Sequence, residues 1–314
     1  MKHKRILLIV TLILAISVLA AGCSRQPAEK TGVTGATDVR VTVTDGLNRR
    51  VEIKGVPKRV VSLAPSNTEI VFALGAGTTL VGVDEYSDYP EETKKIPRVG
   101  GFSNPNLELI IASKPDLILA DDIHTSMIDQ LSKVGCPVVL LRGNSPAEVQ
   151  HNIQIVGQIL DKTKEAEALV ADIKKRLEAV KQKVQSVPPE KRPKVFYEVY
   201  SDPIMTAGPK TLIHSIIEAA GGQNVASDAA TDWPQYSSEM IVQKNPEVIL
   251  FPYFHGGESL TVEKIKTRPG WSGISAVLKK RVYPIDANII SRPGPRIAQA
   301  VEELARLFYP ELFK

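Results

Sequence analysis

The chain offers few side chains for covalent or metal chemistry, and their spacing does not suit it. Five histidines stand at positions 3, 124, 151, 214 and 255, and two cysteines at 23 and 136. No His-x-x-x-His or similar ligand spacing occurs. There is no Walker loop, no Gly-x-Ser-x-Gly elbow and no Gly-x-Gly-x-x-Gly fingerprint. A metal held by His124 and His255 would need two distant segments to meet across a cleft. Asp121 and Asp122 are neighbours, and adjacent side chains rarely aim the same way, so they read as a loop end at a rim rather than an acid–base couple. Cys136, in GCPVVLL, has no activating neighbour in sequence and reads as a small buried hydrophobe. Catalysis is not expected; what remains is non-covalent recognition.

The elements that must position such groups alternate between β-branched apolar runs and helical patterns, which argues for an α/β fold with parallel sheets. Strands are expected over 59–64, 79–83, 116–120 and 137–141 in the first half, and over 194–199, 247–251 and 281–285 in the second. In open parallel sheets a ligand sits outside the carboxyl ends of the strands. The residues there are Ser66 and Asn67, 85–89, Asp121 and Asp122, 200–202, 252–255 and 288–292. Aromatics mixed with a few polar groups suit a cleft for an organic molecule. One helix start is marked in PSNTEIVFALGAG, where Ser66 and Glu69 have capping-box spacing and Gly75 is the expected stop.

Two segments align without a gap at an offset of 131 residues: NLELIIASKPDLILA from Asn106 and SSEMIVQKNPEVILF from Ser237. Each reads as a short helix capped by Asn106 or Ser237, broken at Pro115 or Pro246, then a buried strand. Glu108 and Glu239 match just inside the two helices, a detail that packing does not require. Two lobes of related architecture are expected. Between them Ala166, Leu169, Val170, Ile173, Leu177, Val180 and Val184 recur in steps of three and four. That is an amphipathic helix of about 24 residues, roughly 36 Å long, ending before Pro188 and Pro189. A strut of this kind permits small rocking of the lobes rather than a wide hinge closure.

The first residues carry Lys2, Lys4 and Arg5, then a mostly apolar run from Ile6 to Ala21, too short for comfort as a spanning helix. This is the pattern of a secretory signal. LAAGC, residues 19–23, resembles the lipobox of bacterial lipoproteins, in which the cysteine becomes the diacylated first residue. Cys23 is thus expected to be a membrane anchor and not half of a disulfide. Residues 24–37 lack large apolar groups and read as a flexible tether. Removing 1–22 strips three of the positive charges behind the formal net charge of +4, so neither a nucleic-acid footprint nor a polybasic membrane patch survives. The expected organisation is a signal peptide over 1–22, lipidated Cys23 and tether over 23–37, an N-terminal lobe over 38–160, a connecting helix over 161–190 and a C-terminal lobe over 191–314. The product would be an exported monomer held at the outer face of the cell membrane, on the periplasmic side in a two-membrane host.

RVVSLAPSNTEIVFALGAG, YSDYP, NLELIIASKPDLIL, WPQYSSE, RPGW and RPGPR resemble the periplasmic-binding-protein family that serves importers of vitamin B12, haem and iron–siderophores. The likeness covers about residues 58–312 and is greatest to the B12 branch. It implies two Rossmann-like lobes joined by one long helix, a ligand between them and delivery to a membrane permease, with no enzymatic activity and no resident cofactor. On this resemblance Tyr86 matches a tyrosine that touches the corrin, Trp233 matches a cleft tryptophan, and Asn288, Ile289, Ile290, Ser291 and Arg292 match a ligand-contacting loop. Phe102 stands where the B12 branch has a tryptophan and Met205 where it has a phenylalanine; both keep an apolar contact with less ring area. The loop also lacks its counterpart's aromatic. A macrocycle needs apolar faces, which Tyr86, Trp233, Phe102 and Met205 would supply, and polar groups at its rim, which Arg292 and Asn288 would supply. Cobalamin or a related corrinoid is the leading ligand. Haem is the alternative, with Tyr86 or His255 as axial group, or a ferric siderophore with Arg292 as anion clamp. Arg296 is expected to start a helix and bind nothing. Glu108 and Glu239 fall at the family's docking positions, where carboxylates meet permease arginines.

Overall fold

A hairpin absent from the strands expected above opens the described chain: Val39–Thr44 (β1) pairs antiparallel with Arg50–Lys54 (β2). Asp45 shapes its turn by accepting from the backbone N–H groups of Leu47 and Arg49. The computed structural model describes residues 39–253 and 260–314. The signal peptide, the tether with Cys23, and His255 lie outside the described residues.

Next come Val60–Ser62 (β3), the helix Pro65–Ala73 (α1), Leu80–Val83 (β4), the helix Leu107–Ala112 (α2), Leu117–Asp121 (β5) and Val138–Leu141 (β6). The last four strands form a parallel sheet in the order β4-β3-β5-β6. β3 and β6 are buried along their whole length, as strands covered on both faces must be, and so they read as continuous apolar runs. Helices Pro146–Ile159 (α3) and Thr163–Val184 (α4) lead to the second half. There the main elements are Lys194–Ser201 (β7), Ile204–Thr206 (β8), Leu212–Ala219 (α5), Gln223–Asn224 (β9), Ser238–Lys244 (α6), Val248–Tyr253 (β10), Val282–Asp286 (β11), Ala287–Ile290 (α7) and Ile297–Phe308 (α8). Its sheet runs β11-β10-β7-β8, with β8 antiparallel at the edge and β9 beside the start of β7.

α4 is the strut that the apolar spacing predicts. Its 22 residues bury Ala166, Val170, Ile173, Val180 and Val184, and at 1.5 Å per residue it runs about 33 Å. Arg176 on α4 grips Glu302 on α8 with two parallel bonds of 2.8 Å. The same buried cluster holds Val149 and Ile153 of α3, Ile213 and Ile216 of α5, and Val301 and Leu304 of α8, together with residues of both sheets. The two lobes therefore share a dry apolar joint.

The capping box expected at Ser66 and Glu69 does not form. α1 starts two residues earlier, with Ala64 as N-cap, no side-chain cap bond, and Pro65 in the first turn. Proline is pre-set for that position, so Ser66 and Glu69 fall inside the helix on its buried face. Gly75 does end the helix, with φ of +70° just beyond the Leu74 C-cap.

Candidate functional site

Two adjoining cavities open between the lobes at the carboxyl ends of the strands. One, of about 480 Å³, is walled by Phe102, Asp121, Thr211, Trp233, Ser291 and Pro293, among others. The other, of about 310 Å³, adds Tyr86, Asn288 and Arg292 and shares Phe102, Asp121, Ser291 and Pro293 with the first. Both walls thus draw on both halves of the chain. Gly143 lines the larger of the two against the other lobe: a Cβ there would stand 2.3 Å from the Pro293 ring. Larger concavities on the outer surface, beside α5 and the strut, are lined mainly by lysine, glutamate and glutamine and lie away from the strand ends.

Of the residues named from the resemblance, the fold brings Tyr86, Phe102, Trp233, Asn288, Ser291 and Arg292 to these cavities. The rings of Tyr86 and Trp233 are exposed. Ile289 and Ile290 are not cleft residues: at 8% and 0% exposure they pack into the main core, because the single turn of α7 sends them inward while Asn288 and Ser291 face the cleft. Met205, on β8 opposite Tyr200, lines neither cavity.

The loop carrying Tyr86 is held from beneath. Asp84 is buried and accepts from the Tyr86 N–H and from Ser87 Oγ, while Arg98 Nη1 donates to the carbonyls of Asp84 and Ser87. Burial nevertheless pushes the Asp84 carboxyl above the usual range. Phe102 is fixed by His124. The imidazole is fully buried, its Nδ1 accepts from the Asp121 N–H at 3.0 Å, and its Nε2 meets the Phe102 carbonyl at 2.7 Å. Phe102 stacks edge-on against it at 5.7 Å. With both ring nitrogens engaged and burial lowering its pKa, His124 has no lone pair left for the metal pair considered with His255. Among the described residues no group of three or more His, Cys, Asp or Glu side chains is placed to hold a metal ion. Asp121, shared by the two cavities, is pushed up to about 6, chiefly by burial. Cys136 is half-buried at the edge of the first lobe's core, with its thiol pushed up to about 11; it is no nucleophile.

The arginines behave otherwise than the sequence implies. Glu69, nearly fully buried, accepts a fork from Arg296 at 2.9 and 2.7 Å and a third bond from Arg292 at 3.2 Å. Arg296 is the N-cap residue of α8, as expected, and lines neither cavity; its guanidinium clamps α1 through Glu69 and lies 4.4 Å over the Tyr89 ring. Arg292 also donates to Asp88 Oδ1 at 2.6 Å and to the Tyr86 carbonyl at 3.1 Å. Its guanidinium is an interlobe tie as well as a cleft group, and the Asn288 amide joins it on Asp88.

Glu108 and Glu239 stand outside the cleft, exposed on α2 and α6. Asn106 and Ser237 cap these helices as expected, accepting from the N–H groups of Leu109 at 3.1 Å and Met240 at 3.2 Å. RPGW braces α6: Arg268 forks onto the buried Glu198, its guanidinium lies 4.7 Å from the Trp271 ring, and Trp271 Nε1 donates to Ser238 Oγ. Phe102 and Trp233 were available as a further signal in sequence, since they too stand 131 residues apart and precede Asn106 and Ser237 by the same four positions. Glu69 gave no such local sign.

A two-lobed parallel α/β body, a strut between the lobes and an aromatic cleft at the strand ends define a solute receptor. The chain belongs to the periplasmic binding protein family, whose model matches residues 60–289; its members are non-enzymatic components of transport systems. It is 38% identical over 310 residues to an uncharacterized ABC transporter substrate-binding lipoprotein, YvrC, of Bacillus subtilis (strain 168), covering 96% of each chain. The vitamin B12-binding protein of Vibrio vulnificus (strain CMCP6) is 30% identical over 265 residues, covering 82% of this chain and 93% of that one. Among solved structures, the periplasmic haem-binding protein RhuT of Roseiflexus sp. RS-1 matches with a TM-score of 0.72 at 29% identity, over 82% of this chain and 100% of that one.

Proposed function

We propose that this protein is the substrate-binding component of an ABC importer, that it captures cobalamin or a related corrinoid in the interlobe cleft, and that it hands this ligand to a membrane permease. The observation that carries the reading is the convergence of Tyr86, Phe102 and Trp233, from both lobes, on one pair of adjoining cavities. Aromatic rings from opposite walls suit a bulky ring system with apolar faces. Asn288, Ser291 and Arg292 lie at the edge, where amide or carboxylate oxygens of such a ligand would meet donors. The likeness to a vitamin B12-binding protein agrees. Haem is the second reading, favoured by the exposed Tyr86 side chain at the cleft wall and by the haem-binding structural relative.

Delivery rests on Glu108 and Glu239 meeting cationic groups of the permease, which would set orientation and on-rate more than affinity. Export, lipidation of Cys23 and anchorage to the outer face of the membrane complete the proposal, supported by LAAGC and by the lipoprotein relative. Titration calorimetry of the chain from residue 24 against cobalamin, cobinamide, haem and two siderophores tests the ligand. One-to-one heat with a corrinoid is the expected result, weakened about tenfold or more by Trp233→Ala. Flat traces for both corrinoids would end the assignment.

A further inference from the structure

Asp121 is the carboxylate that both cavities share. Its neighbour Asp122 turns onto Arg142, which donates to Asp122 Oδ1 from Nε at 3.1 Å and Nη2 at 2.7 Å. Asp121 has no such cation. Among the described residues no side chain donates to its carboxyl, which accepts only from backbone N–H groups of the turn after β5, that of Ile123 at 3.4 Å. The charges that bear on it, those of Asp84 and Asp122, are negative as well. Capping a turn requires nothing of the cleft, so this carboxyl carries acceptor capacity that the fold leaves unused. The donors around it are committed. Thr211 Oγ1 donates to the Gly208 carbonyl at 2.8 Å, and the Asn288 amide to Asp88 at 3.4 Å. Arg292 uses both Nη1 hydrogens on Glu69 and Asp88 and one Nη2 hydrogen on the Tyr86 carbonyl, so its charge is already answered. One Nη2 hydrogen and the Nε–H remain for a ligand oxygen. Lys210, at the wall of the larger cavity, is exposed to water.

We infer that Asp121 is a specificity residue of the cleft, accepting from the NH2 group of a primary carboxamide on the ligand's rim and refusing a carboxylate in the same place. This rests on the corrinoid reading above and narrows it to ligands whose rim is amidated. An amide matches both kinds of group on offer: its oxygen accepts from the spare Arg292 hydrogens, and its nitrogen donates to Asp121. A carboxylate has no proton to give, so the Asp121 oxygens would lose water and gain only a like charge. A site that hydrogen-bonds an N–H rejects the analogue lacking it far more strongly than an apolar pocket rejects a missing methylene, because a polar group is left buried and unpaired. The rings of Tyr86, Phe102 and Trp233 are indifferent to that change, since they meet the faces of a macrocycle and not its rim. Asp121 therefore decides between two macrocycles of one shape. The same contact disfavours haem, whose rim bears carboxylates.

The test uses the chain from residue 24, which retains the compact unit Asp38–Lys314, and two corrinoids that share a ring. Dicyanocobinamide carries carboxamides around its rim, and dicyanocobyrinic acid carries carboxylates. Equilibrium dialysis at pH 7.5, where the Asp121 carboxyl is ionised, gives a dissociation constant for each. The wild-type chain should prefer dicyanocobinamide by on the order of a hundredfold. Asp121→Asn keeps the shape and offers a donor beside its acceptor. It should weaken dicyanocobinamide, strengthen dicyanocobyrinic acid and bring the ratio to within about fivefold. Asp129→Asn, which removes the same charge from an exposed position outside the cleft, should leave both constants unchanged. Equal binding of the two corrinoids by the wild-type chain, a comparison that needs no variant, would overturn the inference and leave the corrinoid reading standing. So would an Asp121→Asn chain that keeps the wild-type ratio. Loss of the preference in Asp129→Asn would trace it to net charge and overturn the inference likewise. If neither corrinoid binds the wild-type chain, the corrinoid reading falls and takes this inference with it.

Discussion

Asp121 stands where the two cavities meet, and little water reaches its carboxyl, which titrates at about 6. An unfolded aspartate titrates near 3.9, so the folded chain holds that proton more tightly. The stabilisation this gives is complete below about pH 4 and is lost as pH rises through 6. Asp121→Asn should therefore raise stability at pH 8 by about 1 kcal/mol, discounted for partial exposure, and change little at pH 4. Urea unfolding at the two pH values checks this. The residue's place at a rim was legible, because strand ends can be read from apolar runs. Its titration was not, since burial depends on walls contributed by distant segments. Ile289 and Ile290 show the same limit: sharing a loop with Arg292 says nothing about which side of one helical turn meets the core.

α2 and α6 were legible nearly residue by residue, because cap and stop are local signals. Asn106→Ala and Ser237→Ala should each cost about 1 kcal/mol of stability in urea unfolding by freeing an N–H at the helix start, with the cleft left intact. Ser66 and Glu69 have capping-box spacing too, and there the reading failed. Pro65 fixes the helix start by itself, and Glu69 answers to Arg292 and Arg296, 223 and 227 residues away. No window along the chain contains that information. The β1–β2 hairpin was missed for a different reason: alternation in VRVTVT is a strand signal, but it lies outside the parallel scheme that ordered the other strands.

At the scale of the whole molecule, two sheets and a strut followed from periodicity and the repeat, whereas the joint between them did not. That joint is an apolar core shared across α3, α4, α5 and α8, closed over by Glu69 with its two arginines. Glu69→Gln leaves the part-buried Arg296 guanidinium without its counter-charge and Arg292 with Asp88 alone, and should destabilise the chain by about 3 kcal/mol, read as a lower urea midpoint.

One further consequence comes from the spacing within each lobe. Phe102 and Trp233 reach into the cavity, and six positions later Glu108 and Glu239 face outward. Six residues span at most about 21 Å of chain, and in each lobe they run from a pinned loop straight into a capped helix. A guest that shifts either ring pulls on a short leash, so news of loading has only four loop residues and the first turn of a helix to cross before it reaches the outer face.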